Sequence, residues 1–315
     1  MTMPIVKKKG RGDRARARAA LGPLQALGHS KARIKRHLRA AEKFYRITSS
    51  TISSTDLHSN DAVRKSMVRF VEASWAEGDG VDLAKDAIFG TAMLLEVPSK
   101  SFADSWTLVK RWERHELPSQ APPSSPEEAM ALAGLAAKEG KFGLAFAVLL
   151  AFECYLRTGE WVRLVPEQVV FADRGLVVDL GETKGTARRG GKDVVSTQDP
   201  LLCHFARKAL SATPPASTFV QMSESHFRRW FRKSLKALEL EKSELTPYSF
   251  RRGGCSSAVL NGTPVSTVIH GARWTDARTA RIYIQEGAAL LRETRRTPTV
   301  QSLLRQAAQH LRRAL

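Results

Sequence analysis

Residues 117–126 carry four prolines and three serines, and a single helical body cannot run through them. Proline lacks the N–H that a helix interior needs and drives the residue before it into extended backbone. The stretch therefore reads as an extended linker between two folded parts. At its end Ser125-Pro126-Glu127-Glu128 has the pattern of a helix start, with a hydroxyl cap, proline at the first position and acids in the first turn. The expected organisation is a basic disordered arm over 1–20, a helical domain over 21–116, the linker over 117–126 and a second domain over 127–315. With 315 residues, 43% of them hydrophobic, the chain has enough apolar material for two cores.

Before the linker the pattern is helical throughout. Ile34, Leu38, Ala41 and Tyr45 recur on one face between Arg33, Lys35, Arg36, Arg39 and Lys43, which predicts one apolar and one basic face. Helices are expected over about 60–76, 82–95 and 100–115, with Trp75, Trp106 and Trp112 packed in the core. After the linker, helices are expected over about 127–139 and 141–157. Short strand-like runs follow at 168–171, 176–180 and 193–196, and helices return from Pro200 to the end. The last two runs flank a Gly-rich basic hairpin tip containing Arg188, Arg189 and Lys192. The fold class is thus mainly α with a small β-sheet and hairpin, in two domains.

Charge narrows the partner. Fifty Lys and Arg against 31 Asp and Glu give a net charge of +19 and a pI near 10.3. Neutralising a polyanion releases its condensed counterions, so such a surface favours nucleic acid. Ribosomal, chromatin and membrane-surface proteins can be equally basic, so charge names a partner class and no reaction. Cys154, Cys203 and Cys255 form no CxxC pair, which argues against a disulfide framework and a zinc site and fits a reducing compartment. No apolar run is long enough to span a bilayer, and the basic N-terminus does not resemble a secretory signal. An intracellular protein is expected, nuclear in a eukaryote and cytoplasmic or nucleoid-bound in a prokaryote.

Four features carry the chemistry. Arg157 and Glu160 stand at the end of a strongly apolar helix, expected to break near Thr158-Gly159. Lys184 enters the basic hairpin, where a mobile ammonium can deliver a proton to an alkoxide. Tyr248 and Arg251, three apart, open a helix, and a guanidinium at a helix start suits an anionic oxygen. Trp274 offers an indole N–H nine residues before Tyr283, which Arg278 and Arg281 flank. His270 is a neighbour better read as structural than as a base. Taken singly, these features read better as a capping arginine, a turn lysine and a packed aromatic.

In order and spacing they resemble the tyrosine recombinase, or phage integrase, family. Arg157, Glu160 and Leu164 match its first box, and Lys184, 27 residues after Arg157, stands where the family has a hairpin lysine. Tyr248-x-x-Arg251 resembles the second box and Trp274 to Tyr283 the third box with its nucleophile. The match spans about 127–290, and the preceding helical domain resembles the family's core-binding, SAM-like domain. One departure stands out: the second box usually opens with His, and here Tyr248 takes that place. A phenol, with a reference pKa of ~10, donates a hydrogen bond but shuttles protons poorly at neutral pH.

The resemblance implies site-specific cutting and rejoining of double-stranded DNA through a 3′-phosphotyrosyl intermediate on Tyr283. Arg157, Arg251 and Trp274 would hold the non-bridging oxygens, Lys184 would protonate the leaving 5′-oxygen, and Glu160 would orient the cluster. Bond types are conserved, so no metal, ATP or other cofactor is implied. Self-association as dimer or tetramer on DNA follows from the same resemblance. The tail after Tyr283, with Leu290, Leu291, Leu303, Leu304 and Leu311, would dock on a neighbouring protomer or pack back on its own domain. Two alternatives stay open: a weakened or domesticated DNA-binding protein of the same fold, and a type IB topoisomerase-like activity.

Overall fold

The computed structural model describes residues 30–49, 60–116, 120–183, 186, 191–275 and 277–314, and the basic arm over 1–20 lies outside them. Two units form, Met1–Ser119 and Gln120–Leu315. Mostly helical, the chain carries one three-stranded antiparallel sheet among the described residues.

In the first unit, α1 (Lys31–Thr48), α2 (Asn60–Ala76), α3 (Val81–Leu94) and α4 (Ala103–His115) surround a core of Phe44, Met67, Phe70, Ile88, Phe102 and Trp112. The face of α1 that is buried is His37, Ala40, Ala41, Phe44 and Thr48. The expected stripe is thus rotated: Leu38 is exposed and Ile34 half-buried. A polar residue makes the difference, because His37 Nδ1 meets the Asp86 carboxylate of α3 at 2.8 Å, and that pairing lets an imidazole enter the interior. Trp112 is buried as expected, but Trp75, edge-on to it at 5.3 Å, is 49% exposed.

The second unit is built around α6 (Phe142–Glu153), buried on all sides from Gly143 to Ala151. A helix apolar all round needs neighbours on every side. They include α5 (Pro126–Lys138), α8 (Pro200–Ala212), α10 (Ser249–Leu260) and the short α7 (Thr158–Trp161). The cap read at Ser125 forms: its Oγ accepts from Glu128 N (3.1 Å), and Glu128 Oε2 accepts from Ser125 N (2.9 Å). Residues 120–125, expected in a free linker, belong to this unit, where Ser124 donates through both N and Oγ to the Ser249 carbonyl at 3.1 Å.

The sheet has the order β1 (Val169–Ala172), β2 (Gly175–Gly181), β3 (Asp193–Thr197), close to the expected runs. Val169 pairs with Val178, and Val178 in turn with Val195. After α9 (Glu224–Ala237) and α10 come the short α11 (Val265–Gly271) and α12 (Ala277–Tyr283), then α13 (Glu286–Thr294) and α14 (Pro298–Arg313). The last helix packs in cis, with Val300, Leu304, Ala307 and Leu311 of α14 joining the core of their own unit against α5, whereas Leu290 and Leu291 of α13 are exposed. No helix among the described residues is long and apolar enough to cross a membrane.

Candidate functional site

The site begins where α6 stops. The apolar run predicts helix to about residue 157, but the helix ends at Glu153. Tyr155 then takes a left-handed backbone (φ 52°), and Leu156 is drawn back into the core with its N–H on Ala151 O. Burial of Leu156 outweighs continuation of the helix and turns the chain, leaving Arg157 as the residue before α7. Glu160 then holds Arg157 twice, accepting from its main-chain N–H at 2.8 Å and from Nη1 at 2.7 Å. The Arg157 side chain keeps 29% of its surface exposed.

Tyr248, Arg251 and Arg252 stand at the start of α10. The Gly253-Gly254 pair sets where that helix can lie. A Cβ on Gly254 would fall 1.9 Å from Phe152 O, and one on Gly253 2.0 Å from Ser124 O. With no side chain at either position, α10 lies directly against the end of α6 at Gly254 and against Ser124 at Gly253. Arg251 is therefore fully buried, donating from Nη1 to Tyr155 O and from Nη2 to Ala272 O, the latter at 2.7 Å. Burial first, then the nearby Arg157 and Arg273 charges, lowers the Arg251 guanidinium to about 10, which leaves it charged at neutral pH.

Arg273 ties the boxes together. Its backbone is left-handed (φ 58°), a conformation that surrounding contacts must hold. Its Nη2 donates to Glu160 Oε2 at 2.7 Å, and its Nε lies 3.7 Å from Asp193 Oδ2 at the base of the β2–β3 hairpin. First box, hairpin stem and third box thus share one ion-pair cluster. Four guanidiniums (Arg157, Arg251, Arg252 and Arg273) gather against the two carboxylates of Glu160 and Asp193, a net positive site suited to an anion.

Tyr283, at the end of α12, rests on a small core of Cys255, Val268, Ala272, Trp274 and Ala280. Its ring centroid is 4.8 Å from that of Trp274, 5.7 Å from the Arg251 guanidinium carbon and 5.3 Å from that of Arg252. Tyr248 donates its hydroxyl hydrogen to the Tyr283 hydroxyl oxygen. Burial, reinforced by the hydrogen bond to Tyr283, raises the Tyr248 phenol above its ordinary value, so it remains a donor at neutral pH.

Tyr248, Arg251, Trp274 and Tyr283 therefore meet, and Arg157 and Glu160 join them through Arg273. Lys184, Arg188 and Arg189 lie outside the described residues. Lys192 is described and paired with Asp179 at 3.0 Å. His270 is exposed. In the first unit Arg36 is paired with Asp86 (2.6 Å) and Lys43 with Asp79 (2.9 Å). Arg33, Lys35 and Arg39 are exposed and enter no ion pair among the described residues. Of the expected basic stripe, these three are the charges left for a partner.

Three features escaped the sequence reading. Arg252 and Arg273 each adjoin a residue of the boxes, and nothing in their spacing says that their side chains turn inward. The third is α9, where Phe227, Trp230 and Phe231 are buried while Arg228, Arg229, Arg232, Lys233 and Lys236 face outward. Its signal was present, as arginines four apart opposite aromatics. Arg228 and Arg232 border a cleft of about 810 Å³ that also meets Thr158, Arg163 and Tyr248.

No protein-family model matches the chain, and no curated protein matches it. Among solved structures, a lambda integrase dimer bound to a COC′ core site is similar with a TM-score of 0.50 at 14% identity, over 88% of this chain and 87% of that one. The Tn1549 transposon integrase in complex with circular intermediate DNA is further off in fold, with a TM-score of 0.47 at 12% identity over 82% of this chain and 99% of that one. XerA recombinase has a TM-score of 0.41 at 14% identity, over 82% of this chain and 99% of that one. The first likeness covers nearly the whole chain: this protein has the tyrosine recombinase fold.

Proposed function

We propose that the protein is a DNA strand transferase that cuts and rejoins duplex DNA through a phosphotyrosyl bond on Tyr283. One observation carries the reading: the Tyr283 phenol is seated among Arg251, Trp274 and Tyr248. Residues from separate stretches of chain converge on one hydroxyl in a site with excess positive charge. That is what attack on an anionic phosphodiester needs.

In this mechanism the Tyr283 hydroxyl releases its proton to water as its oxygen attacks phosphorus, the P–O5′ bond breaks with a proton taken up by the 5′-oxygen, and the 3′-phosphate remains on the tyrosine. A 5′-hydroxyl then reverses the step and releases Tyr283. Arg157, the more exposed guanidinium, takes a non-bridging oxygen, and Glu160 keeps its fork in place. Arg251 gives one N–H of each terminal nitrogen to a carbonyl, and its guanidinium carbon lies 5.7 Å from the centre of the Tyr283 ring. It contributes its positive charge to the site, and the N–H groups it keeps are the donors for a phosphate oxygen. Tyr248 hydrogen-bonds the nucleophile's oxygen in the place where the family has His. Lys184 is assigned the proton for the leaving 5′-oxygen on its sequence position alone. Trp274 supplies an indole N–H to the phosphate.

The partner is double-stranded DNA, gripped mainly through phosphate by Arg33, Lys35 and Arg39 in the first unit and by the outward face of α9 in the second. Dimeric or tetrameric assembly on DNA belongs to the same reading. The replacement of His by Tyr248 favours a second reading, a protein of this fold that binds DNA without turnover. A duplex nicked beside the cleavage position separates them by trapping the covalent species. The enzyme forms a protein–DNA adduct that disappears in Tyr283→Phe. A chain that binds the duplex and forms no adduct is the binding protein.

A further inference from the structure

Arg252 is buried next to Arg251 and takes no part in the mechanism above. Its Nη1 donates to Gln120 Oε1 at 2.9 Å, and its guanidinium carbon lies 5.3 Å from the centre of the Tyr283 ring. Its Nε is buried without a partner, and the side chain enters no ion pair among the described residues. A desolvated cation held by one amide oxygen and an aromatic face is costly, and a methionine would fill the same space at no such cost. The charge makes sense if it acts on Tyr283.

The other partners of Gln120 lead to the same residue. Its Oε1 also accepts from Gln285 Nε2 at 3.1 Å. Gln285, two residues after Tyr283, donates its main-chain N–H to Ser256 Oγ at 2.9 Å. Ser256 in turn donates to the Tyr283 carbonyl at 3.4 Å. Arg252 therefore holds the ring while Gln120, Gln285 and Ser256 hold the turn that follows it. Its guanidinium meets the ring face, away from the hydroxyl that Tyr248 engages.

We propose that Arg252, anchored by Gln120, is a positioning residue that clamps the Tyr283 ring. The inference rests on the reading of Tyr283 as nucleophile. A ring fixed by a cation beneath it presents its hydroxyl to phosphorus from one direction, whereas a swinging ring spends most encounters misaligned.

The test uses the full chain in two arms. The protein has four tyrosines, so uniform 3-fluorotyrosine labelling gives a readable fluorine spectrum in which Tyr283→Phe identifies its resonance. In Arg252→Met and in Gln120→Leu that resonance shifts or splits while the Tyr45 signal stays; an unmoved Tyr283 signal in both variants overturns the clamp. In the second arm, adduct formation on the nicked duplex falls about tenfold or more in first-order rate for Arg252→Met, with half-saturating DNA unchanged within about threefold. Arg252→Lys, which keeps the cation, recovers part of the rate. Replacing the bridging 5′-oxygen by sulfur, which leaves without a proton, does not restore Arg252→Met. Full restoration by sulfur, or a defect in half-saturation alone, overturns the inference. If Arg252→Met does not fold, Gln120→Leu carries the same expectations. A wild-type chain that makes no adduct removes the nucleophile reading itself, whereas an active wild type with an equally active Arg252→Met removes only the clamp.

Discussion

Glu160→Gln tests whether the boxes are held together as the structure indicates. The carboxylate is 10% exposed and accepts from Arg157 N, Arg157 Nη1 and Arg273 Nη2, at 2.8, 2.7 and 2.7 Å. Glutamine keeps the shape but has one acceptor oxygen and no charge, so at least one charged hydrogen bond is lost. It also leaves Arg273, 8% exposed, with the more distant Asp193 at 3.7 Å as its carboxylate partner, beside the Gly271 and Cys154 carbonyls. A hydrogen bond to a charged group contributes about 1.5–3 kcal/mol, and breaking a buried ion pair from one side costs about 3–5. Because Asp193 still compensates in part, about 2–3 kcal/mol is expected. For a unit of this size that lowers Tm by roughly 4–12 °C. Thermal unfolding of Glu160→Gln, Arg273→Gln and the double variant forms a cycle. The double variant should lose clearly less than the two singles together, since each single strands the partner of the other. A Tm within about 1 °C of wild type, or additive losses, would refute the account of Glu160 and Arg273 as one coupled pair.

Gly254→Ala should cost about 3 kcal/mol or more by denaturant unfolding, since its Cβ would sit 1.9 Å from the Phe152 carbonyl oxygen, a main-chain atom with little room to move; a loss below about 0.5 would show that α10 shifts freely. Burial pushes the Cys154 and Cys255 thiols up to about 12. In the native state a thiol reagent at pH 8 should therefore label only the half-buried Cys203 quickly, and two or more fast thiols would contradict the burial. The sign for stability follows: unfolded thiols ionise from about 8.5 while the folded ones keep their protons, so stability falls as pH rises above that value, and Cys255→Ala should flatten part of the fall. Deleting residues 298–315 strips Leu304 and Leu311 from the core of their own unit; at about 1.5–3 kcal/mol per leucine the second unit should lose its cooperative unfolding transition, and a truncated chain as stable as the full one would refute cis packing as a stabilising contact.

Much of this protein is legible in one dimension because the governing physics is local. Ser125, Pro126 and Glu128 supply the cap, the first turn and its return hydrogen bond within four residues, and a helix starts there. Short runs of strand-forming residues lie within a residue or two of the three strands. Other readings failed where distant parts of the chain compete. Nothing near His37 says that Asp86, far along the chain, will pair with it and rotate α1. Nothing in the apolar run ending at Phe152 says that the chain turns at Tyr155 to keep Leu156 inside.

The candidate site divides the same way. Residue type and order single out Arg157, Glu160, Tyr248, Arg251, Trp274 and Tyr283, since the chemistry of a guanidinium, an indole or a phenol is intrinsic. Which nitrogen faces what is a matter of packing. The structure ties Arg251 to two carbonyls, aims Arg273 inward at Glu160, puts Arg252 against the ring of Tyr283 and seats the C-terminal helix on its own unit. Sequence by itself determined which functional groups the chain owns and which helices and strands carry them. Tertiary structure alone decided their partners, because burying a charge demands compensation that must come from wherever the fold brings a carboxylate, a carbonyl or an aromatic face.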